Sequence, residues 1–312
     1  MQTKEKEVEY PMKRIFWLIL AVTLLIGSVP ALALEKSDWL SPDQYYYQQL
    51  SPEHAAAWEK DMDNALSYPN QNKADKDRRH QALASMIKTD NPRIFWIDWI
   101  DSNAMLRFDT GSTPHYEGVK LPDGMTLQAY QELFIQGVED AVAEITAQLS
   151  AKADATAKVR VVYSWLCKNN TYNDAQTSKH KKESDPVAFA FLAAHSAYSA
   201  IIPGDAYEPV CEGYAGAFKV LCDALGVNCI CVNGSMTSVS YHMWNYVQLE
   251  NGGWYLVDAT TGDAYNTDIF CLMKSSGAQK YEYTPNPYMN SGVNPSNGYT
   301  EGAAFTVPAL AQ

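Results

Sequence analysis

Cys211, His242 and Asp258 present, in that chain order, the thiol, imidazole and carboxylate that acyl transfer through a cysteine requires. A thiolate attacks a carbonyl carbon, an imidazole takes the thiol proton and later returns it, and a carboxylate fixes the imidazole tautomer and steadies its charge. A single cysteine is most often a small buried hydrophobe, and a lone histidine on a strand is most often a satisfied polar group. The chemical reading therefore depends on whether the surrounding elements bring the three together.

The elements agree with that requirement. Tyr214, Ala217, Phe218, Leu221, Cys222 and Leu225 recur at helical offsets and form one apolar stripe, and Gly226 supplies a C-terminal stop. Cys211 is thus expected at a helix N-terminus, where unpaired N–H groups and the positive end of the helix dipole favour a thiolate. Gly213 and Gly216 remove side-chain bulk beside it, so that a strand or a substrate could approach closely. The run 241–249, Tyr-His-Met-Trp-Asn-Tyr-Val-Gln-Leu, reads as a strand, and 253–258, Gly-Trp-Tyr-Leu-Val-Asp, as its antiparallel partner.

The connection between these strands decides which residues share a face. A two-residue Asn251-Gly252 turn would pair Leu249 with Trp254 and set Asp258 opposite Asn245, away from His242. A three-residue loop, Glu250-Asn251-Gly252 with Gly252 left-handed, pairs Leu249 with Gly253 and sets Asp258 opposite Trp244. His242 and Asp258 then become diagonal neighbours within side-chain reach. The three-residue loop is the expectation.

Three ordered blocks carry a family resemblance. Cys211-Glu212-Gly213-Tyr214 opens a helix, His242-x-Trp244-Asn245 lies on a strand, and Trp254-Tyr255-x-Val257-Asp258 lies on the next. Over roughly residues 155 to 275, a domain-sized segment, the chain resembles the transglutaminase-like superfamily, which shares its Cys, His, Asp/Asn chemistry with papain-type cysteine proteases. The resemblance implies Cys211 as nucleophile, His242 as general base and then acid, and Asp258 as the group that orients His242. It also implies an α+β fold, in which the helix carrying the cysteine packs on an antiparallel sheet carrying the histidine and aspartate. The chain departs from the family after Asp258, where Ala259-Thr260-Thr261-Gly262-Asp263 stands in place of a frequent Thr-Trp pair.

The tetrahedral oxyanion of such a reaction needs donors. The Cys211 backbone N–H is the natural first one. Tyr198 and Tyr207, upstream of the thiol, are candidates for a second hydroxyl, although a tyrosine more often packs. Trp244 and Trp254 read as core or cleft wall, with Trp244 the candidate for substrate contact. A zinc site built from Cys211, Cys222, Cys229, Cys231 and His242 is disfavoured, because the Cys229-x-Cys231 gap is shorter than zinc ligands usually show. No Ca²⁺-loop pattern occurs, so neither metal nor cofactor is expected. His54, His80, His115, His180 and His195 have no comparable neighbours in sequence and read as ordinary histidines.

Composition sets the surroundings. A chain of 312 residues that is 46% hydrophobic can bury a sizeable core. Lys13 and Arg14 precede an apolar run from Ile15 to Gly27, and Ala31-Leu32-Ala33 has the small-residue pattern of a cleavage site. A signal peptide over 1–33, with Met12 as its start and cleavage after Ala33, is the expectation. The apolar run is shorter than the roughly 20 residues of a membrane span, so secretion or a cell-envelope location without a permanent span follows. The net charge of −12 argues against a nucleic-acid partner. Protein or peptide substrates, cell-wall peptides among them, fit better. With Cys211 kept free, five of the six cysteines remain, an odd number that cannot all pair within the chain.

The rest of the chain is coarser. Residues 34–150 read as a mainly helical region, with helices over Tyr45 to Leu66 and Asp75 to Ile87 and a strand or aromatic turn at Ile94 to Trp99. A helix after Thr126 carries Leu127, Tyr130, Phe134, Val138, Val142, Ile145 and Leu149 on one stripe. Asp154 caps the next helix, Asp185-Pro186 begins another, and Ile202 to Pro209 leads into the thiol as a candidate cleft wall. The catalytic domain is expected over 151–275, and 276–312, rich in Pro, Asn and Gly, reads as a loosely packed tail or binding segment. Three functions remain at this stage: an exported cysteine-dependent enzyme acting on protein or peptide amides, an inactive binding or adhesion module of the cell envelope that keeps the fold, or a zinc-stabilised structural domain.

Overall fold

The computed structural model describes residues 35–66, 86–96, 127–177, 189–202, 207–237, 239–286 and 305–312. The signal peptide expected over 1–33, the start of the helix at Asp75 and the Asp185-Pro186 cap lie outside the described residues. The chain divides into two units, Met1–Asp38 and Trp39–Gln312. The second contains every element discussed below. The boundary expected at 150/151 therefore does not separate domains, because the preceding helices pack into the same body as the thiol-bearing helix.

Helix α1 (Pro52–Leu66) begins at a proline, whose fixed φ suits the first helical position. The longer helix expected from Tyr45 is interrupted: Tyr47–Gln49 forms a 3-10 turn and Leu50 is extended. Residues 86–90 form a helical turn, and 94–96 continue as turn rather than strand. Helix α2 (Leu127–Thr146) buries Tyr130, Phe134, Val138 and Ile145 of the stripe read from the sequence, with Ala141 buried in place of the half-buried Val142, while Leu149 falls in the turn beyond it. Helix α3 (Ala155–Asn169) is capped as expected, with Asp154 Oδ1 accepting the Ala157 N–H at 2.8 Å. Two short helices follow, α4 (Phe189–Ala194) and α5 (Ala197–Ile201).

Helix α6 (Cys211–Ala224) is the centre of the molecule. It touches α2, α3 and α5 on its helical side and strands β1 (Cys229–Met236) and β2 (Val239–Gln248) on the other. Every residue from Cys211 to Cys222 except Glu212 is buried, so the amphipathic stripe read from the sequence is only part of its buried surface. Even Lys219 is enclosed. Its Nζ donates to the Cys229 carbonyl at 2.8 Å and to Asp223 at 3.2 Å, partners that offset the cost of burying a charge. The helix stops where expected, with Gly226 at φ +68°. The close neighbours at Gly213 and Gly216 are not a strand or a substrate. A Cβ at Gly213 would come within 2.8 Å of Ser199 Oγ and Pro209 and 2.7 Å of the Ala194 carbonyl, and Gly216 faces Ala197.

The sheet has the order β3-β2-β1-β4 and is antiparallel throughout, with β3 (Trp254–Val257) and β4 (Thr284–Pro285) at its edges. One face receives α6. The other carries Ile230, Val232, Trp244, Tyr246 and Leu256, packed with Phe270, Met273 and Tyr283. Alternating helix and antiparallel sheet layers make this an α+β fold. Residues 276–286, expected to begin a loose tail, instead continue helix α8 (Ser275–Lys280) and form β4, with Tyr283 in the core. The last residues also pack, as Leu310 bridges Trp254 and the Ala311 N–H donates to the Trp254 carbonyl at 2.8 Å. Composition misleads here because a few well-placed aromatic residues are enough to dock a Gly- and Asn-rich segment. Helix α7 (Ala259–Tyr265) lies against α3 and α6 and completes the set.

Candidate active site

The β2–β3 hairpin sets the geometry. Gln248 pairs with Trp254 and Asn245 with Val257, and Leu249 N–H donates to the Gly253 carbonyl at 3.1 Å. Gly252 is left-handed at φ +75° and its N–H donates to the Leu249 carbonyl at 2.9 Å. This is the three-residue loop, and the register continues to place Asp258 opposite Trp244. His242 Nε2 and Asp258 Oδ2 are 2.7 Å apart and both side chains are almost fully enclosed.

Asp258 belongs to two structures at once. It ends the hairpin and caps α7, its Oδ1 accepting the Thr261 N–H at 2.9 Å. Its Oδ2 also accepts the Thr261 hydroxyl at 2.6 Å and the Tyr283 hydroxyl at 2.6 Å, besides His242. A buried carboxylate needs such donors. The segment after Asp258, where the chain departs from the family pattern, thus supplies a helix turn whose threonine holds the carboxylate. Gly262 is part of this arrangement, since a Cβ there would overlap the Tyr163 hydroxyl.

β3 pairs only as far as Asn245, so the stretch of β2 that carries His242 and Met243 has, among the described residues, no strand on that side. Cys211, 6% exposed, packs there with Ala215, Cys231 and Met243, near enough to His242 to influence its charge. Nε2 is taken by Asp258, which leaves Nδ1 as the nitrogen for the thiol. Asn245 fixes the helix against the sheet, donating from Nδ2 to the Ala215 carbonyl at 3.0 Å. Val210 gives no side-chain cap, and the first backbone bond of α6 runs from Tyr214 N–H to the Val210 carbonyl at 3.1 Å. The N–H groups of residues 211–213 therefore stand ahead of the helical ladder.

The electrostatics follow from these contacts. Burial pulls the His242 imidazole down, but the Asp258 charge, the hydrogen bond to Asp258 and the neighbouring Cys211 outweigh it and hold the pKa at about 10. Burial would raise Asp258, yet His242 and Thr261 hold it below the ordinary carboxylate value. The imidazolium's contribution to stability is complete below its unfolded pKa near 6.5 and is lost as pH rises through about 10. The carboxylate's contribution is present above its ordinary value of 3.8 and is lost as pH falls through its lowered value. The two describe one shared interaction, fully formed between those limits.

The other sequence candidates fare differently. Tyr198 is buried in an aromatic cluster, its ring 5.3 Å from Phe95 and 5.4 Å from Tyr130, rather than open to a cleft. Trp244 is also core rather than cleft wall, edge-on to Tyr283 at 5.1 Å and 6.0 Å from the His242 ring. Its role is to back the imidazole. Tyr207 is half-buried on the approach to Cys211, while 203–206 of the expected cleft wall lie outside the described residues. Among the described residues no cluster of His, Cys, Asp or Glu has the form of a metal site, and all six cysteines are free thiols.

Residues that the sequence left unremarked surround the thiol. Tyr172 is half-buried and held above the ordinary tyrosine range by burial and by the charges of Cys211 and Asp174. Its neighbours are pinned to the chain just ahead of Cys211: Thr171 N–H donates to Glu208 Oε2 at 3.1 Å, and Asn173 N–H to the Pro209 carbonyl at 3.1 Å. The only sequence signal was the Asn- and Thr-rich stop of α3. His195, read as ordinary, bonds Glu212, the residue after the nucleophile, at 2.5 Å. A small cavity of about 10 Å³ beside Lys88, Glu212, Gly216 and Met243 has room for a single water. Cys211, His242 and Asp258 do not line it, so it is not a peptide cleft.

Comparison with known proteins agrees with the order of these elements. Residues 140–259 match the Transglutaminase-like superfamily. Kyphoscoliosis peptidase of Mus musculus is 27% identical over 158 residues, covering 46% of this chain and 21% of the mouse protein. The Homo sapiens protein of the same name is 28% identical over 160 residues, covering 44% and 21%. The chain thus spans about a fifth of the length of these relatives. A solved structure described as a TGase aligns with 44% of this chain and 34% of its own, at 12% identity and a TM-score of 0.35. The helix that starts at Cys211 and the hairpin that carries His242 and Asp258 both lie within the matched span, and the fold there is transglutaminase-like.

Proposed function

We propose that the chain is a cysteine-dependent acyl-transfer enzyme acting on protein or peptide amides, with Cys211 as nucleophile, His242 as base and acid, and Asp258 as the orienting carboxylate. The observation that carries this reading is the buried Asp258–His242 pair beside Cys211, which sits at an uncapped helix N-terminus. In the first half-reaction the sulfur attacks the amide carbonyl carbon while His242 holds the thiol proton. The C–N bond then breaks, His242 gives the proton to the departing nitrogen, and a thioester remains on Cys211. In the second half, water or an amine attacks the thioester, the C–S bond breaks, and the proton returns to sulfur through His242. Water gives hydrolysis and a lysine amine gives crosslinking. The peptidase name of the mouse and human relatives favours water.

The oxyanion formed in each half would be held by the Cys211 N–H and by the Tyr172 hydroxyl, which its raised pKa keeps protonated. Tyr172→Phe should lower kcat by about 10² to 10³, the usual effect of losing one oxyanion donor. Alkylation of Cys211 by iodoacetamide, which forms no oxyanion, should stay at the wild-type rate. Equal loss in both assays would exclude Tyr172 from this role.

Export to the cell envelope or medium is part of the proposal and rests on the basic and apolar run before Ala33. Cell-wall peptides are the substrates that location would offer. Among the described residues, no helix is long and apolar enough to cross a membrane. One experiment addresses address and chemistry together: protein collected from the producing cell's envelope and medium is incubated with glutamine-containing peptides, with and without a primary amine, and analysed by mass spectrometry. A mature N-terminus at Leu34 supports export. Amine incorporation, glutamate in place of glutamine, or backbone cleavage identifies the second nucleophile and the bond attacked, and unchanged peptides throughout would return the chain to a binding module.

A further inference from the structure

Glu212 is the second residue of α6, and its carboxylate reaches two separate parts of the fold. Oε2 lies 2.5 Å from His195 Nδ1, in the turn between α4 and α5. Oε1 accepts the Tyr241 hydroxyl at 3.0 Å, from the residue just before His242. The His195 ring is itself held, with Nε2 3.2 Å from the Gln176 carbonyl and the ring 4.2 Å from Phe191. Cys211 and His242 sit on different elements, a helix end and a strand, and each is the immediate neighbour of one end of this bridge. The α4 end is tied to the same place by a second bond, Val210 N–H to the Ala194 carbonyl at 3.0 Å.

Resting on the catalytic reading above, we propose that Glu212 is a positioning residue: it clamps the first turn of α6 to β2 and so fixes the distance between the Cys211 sulfur and the His242 imidazole. The carboxylate is well suited to this. It is held charged, with a pKa of about 2, because the Lys88 charge and the His195 and Tyr241 bonds outweigh the burial that would raise it. Its negative charge also sits in the first turn of the helix, where the dipole favours it. Hydrogen bonds of an ionised group are the short, strong kind, and geometry at a reacting pair tolerates little slack.

The test uses the full chain and the rate of Cys211 alkylation by iodoacetamide as a function of pH, with Cys211→Ala identifying the labelled thiol and thermal melting monitoring the fold. Glu212→Ala should slow alkylation near neutral pH by about tenfold or more and change its dependence on pH, since the sulfur loses its fixed distance from His242. Glu212→Gln, which keeps the shape and can bond both neighbours, should recover most of the rate. Tyr241→Phe removes one arm at a half-exposed site and should slow alkylation by a few-fold without lowering the melting temperature, adding nothing further in a Glu212→Ala background. Should Glu212→Ala fail to fold, Tyr241→Phe decides alone. Wild-type rates and profile in Tyr241→Phe, or in folded Glu212→Ala, overturn the clamp while leaving the catalytic reading intact. A wild-type Cys211 that reacts no faster than a free thiol removes both.

Discussion

Cys211→Ala should abolish every acyl-transfer and hydrolytic activity of the protein, leave no thioester to trap with hydroxylamine, and preserve the fold. The effect is large because the sulfur is the atom to which the acyl group is bonded, and no neighbour can replace it. Cys231, the thiol packed beside it, is fully buried and pushed well above the ordinary cysteine range by burial, so it stays protonated and unreactive. Loss of about 10⁶ in kcat is the scale seen when such a nucleophile is removed. The fold should persist, since Cys211 donates no hydrogen bond to the protein backbone among those of the described residues and alanine matches most of its volume. Activity in purified Cys211→Ala protein above that of a mock preparation would rule out the thioester mechanism.

Asp258→Asn should have the second largest effect, and it has two parts. The amide leaves His242 without its charge partner and presents the wrong hydrogen-bonding partner for one tautomer, a change worth about 10⁴ in kcat at comparable sites. It also changes the acceptor that takes hydrogen bonds from Thr261 and Tyr283, so stability should fall, by about 3–5 kcal/mol if the remaining partners cannot repack. The pH signature separates these. The imidazolium in the wild type persists to about 10, and without the Asp258 charge it should be lost nearer the ordinary histidine value of 6.5. The alkaline limb of the pH–rate profile should therefore move to lower pH in the variant. At the same time, the loss of folding stability between 6.5 and about 10 that marks the wild type should flatten. Chemical denaturation at several pH values measures the second effect, and an unmoved alkaline limb would show that Asp258 does not set the charge of His242.

The parts of the site that were legible in the sequence share a physical character. The helix at Cys211 follows from the apolar period of its own residues and from Gly226, and the hairpin register follows from loop length and from one glycine that adopts a left-handed φ. These are local rules, so the chain states them locally. The hairpin then places His242 and Asp258 on one face by alternation alone. Where the reading failed, contacts between distant segments decided. Tyr283 donates to Asp258 from a segment whose Asn, Gly and Pro content reads as a tail, and Tyr172 lies 39 residues before the thiol in a turn. Tyr198, a plausible hydroxyl by position, went into the aromatic core because Phe95, Tyr130 and Phe134 offered it more apolar contact than a cleft would. His195 seemed ordinary because its partner, Glu212, is brought to it only by the packing of α4 and α5 against α6.

The order Cys211, His242, Asp258, the helix that begins at the first and the loop that aligns the other two were determined by the sequence itself, because backbone geometry and side-chain period act over a few residues. The closure of the Asp258 carboxylate by Tyr283, the approach of Tyr172 and the bridge made by Glu212 were decided only in the tertiary structure. A hydrogen bond between distant segments leaves no period or spacing in the chain. It exists only when burial of the helix against the sheet has brought both partners out of water and into reach.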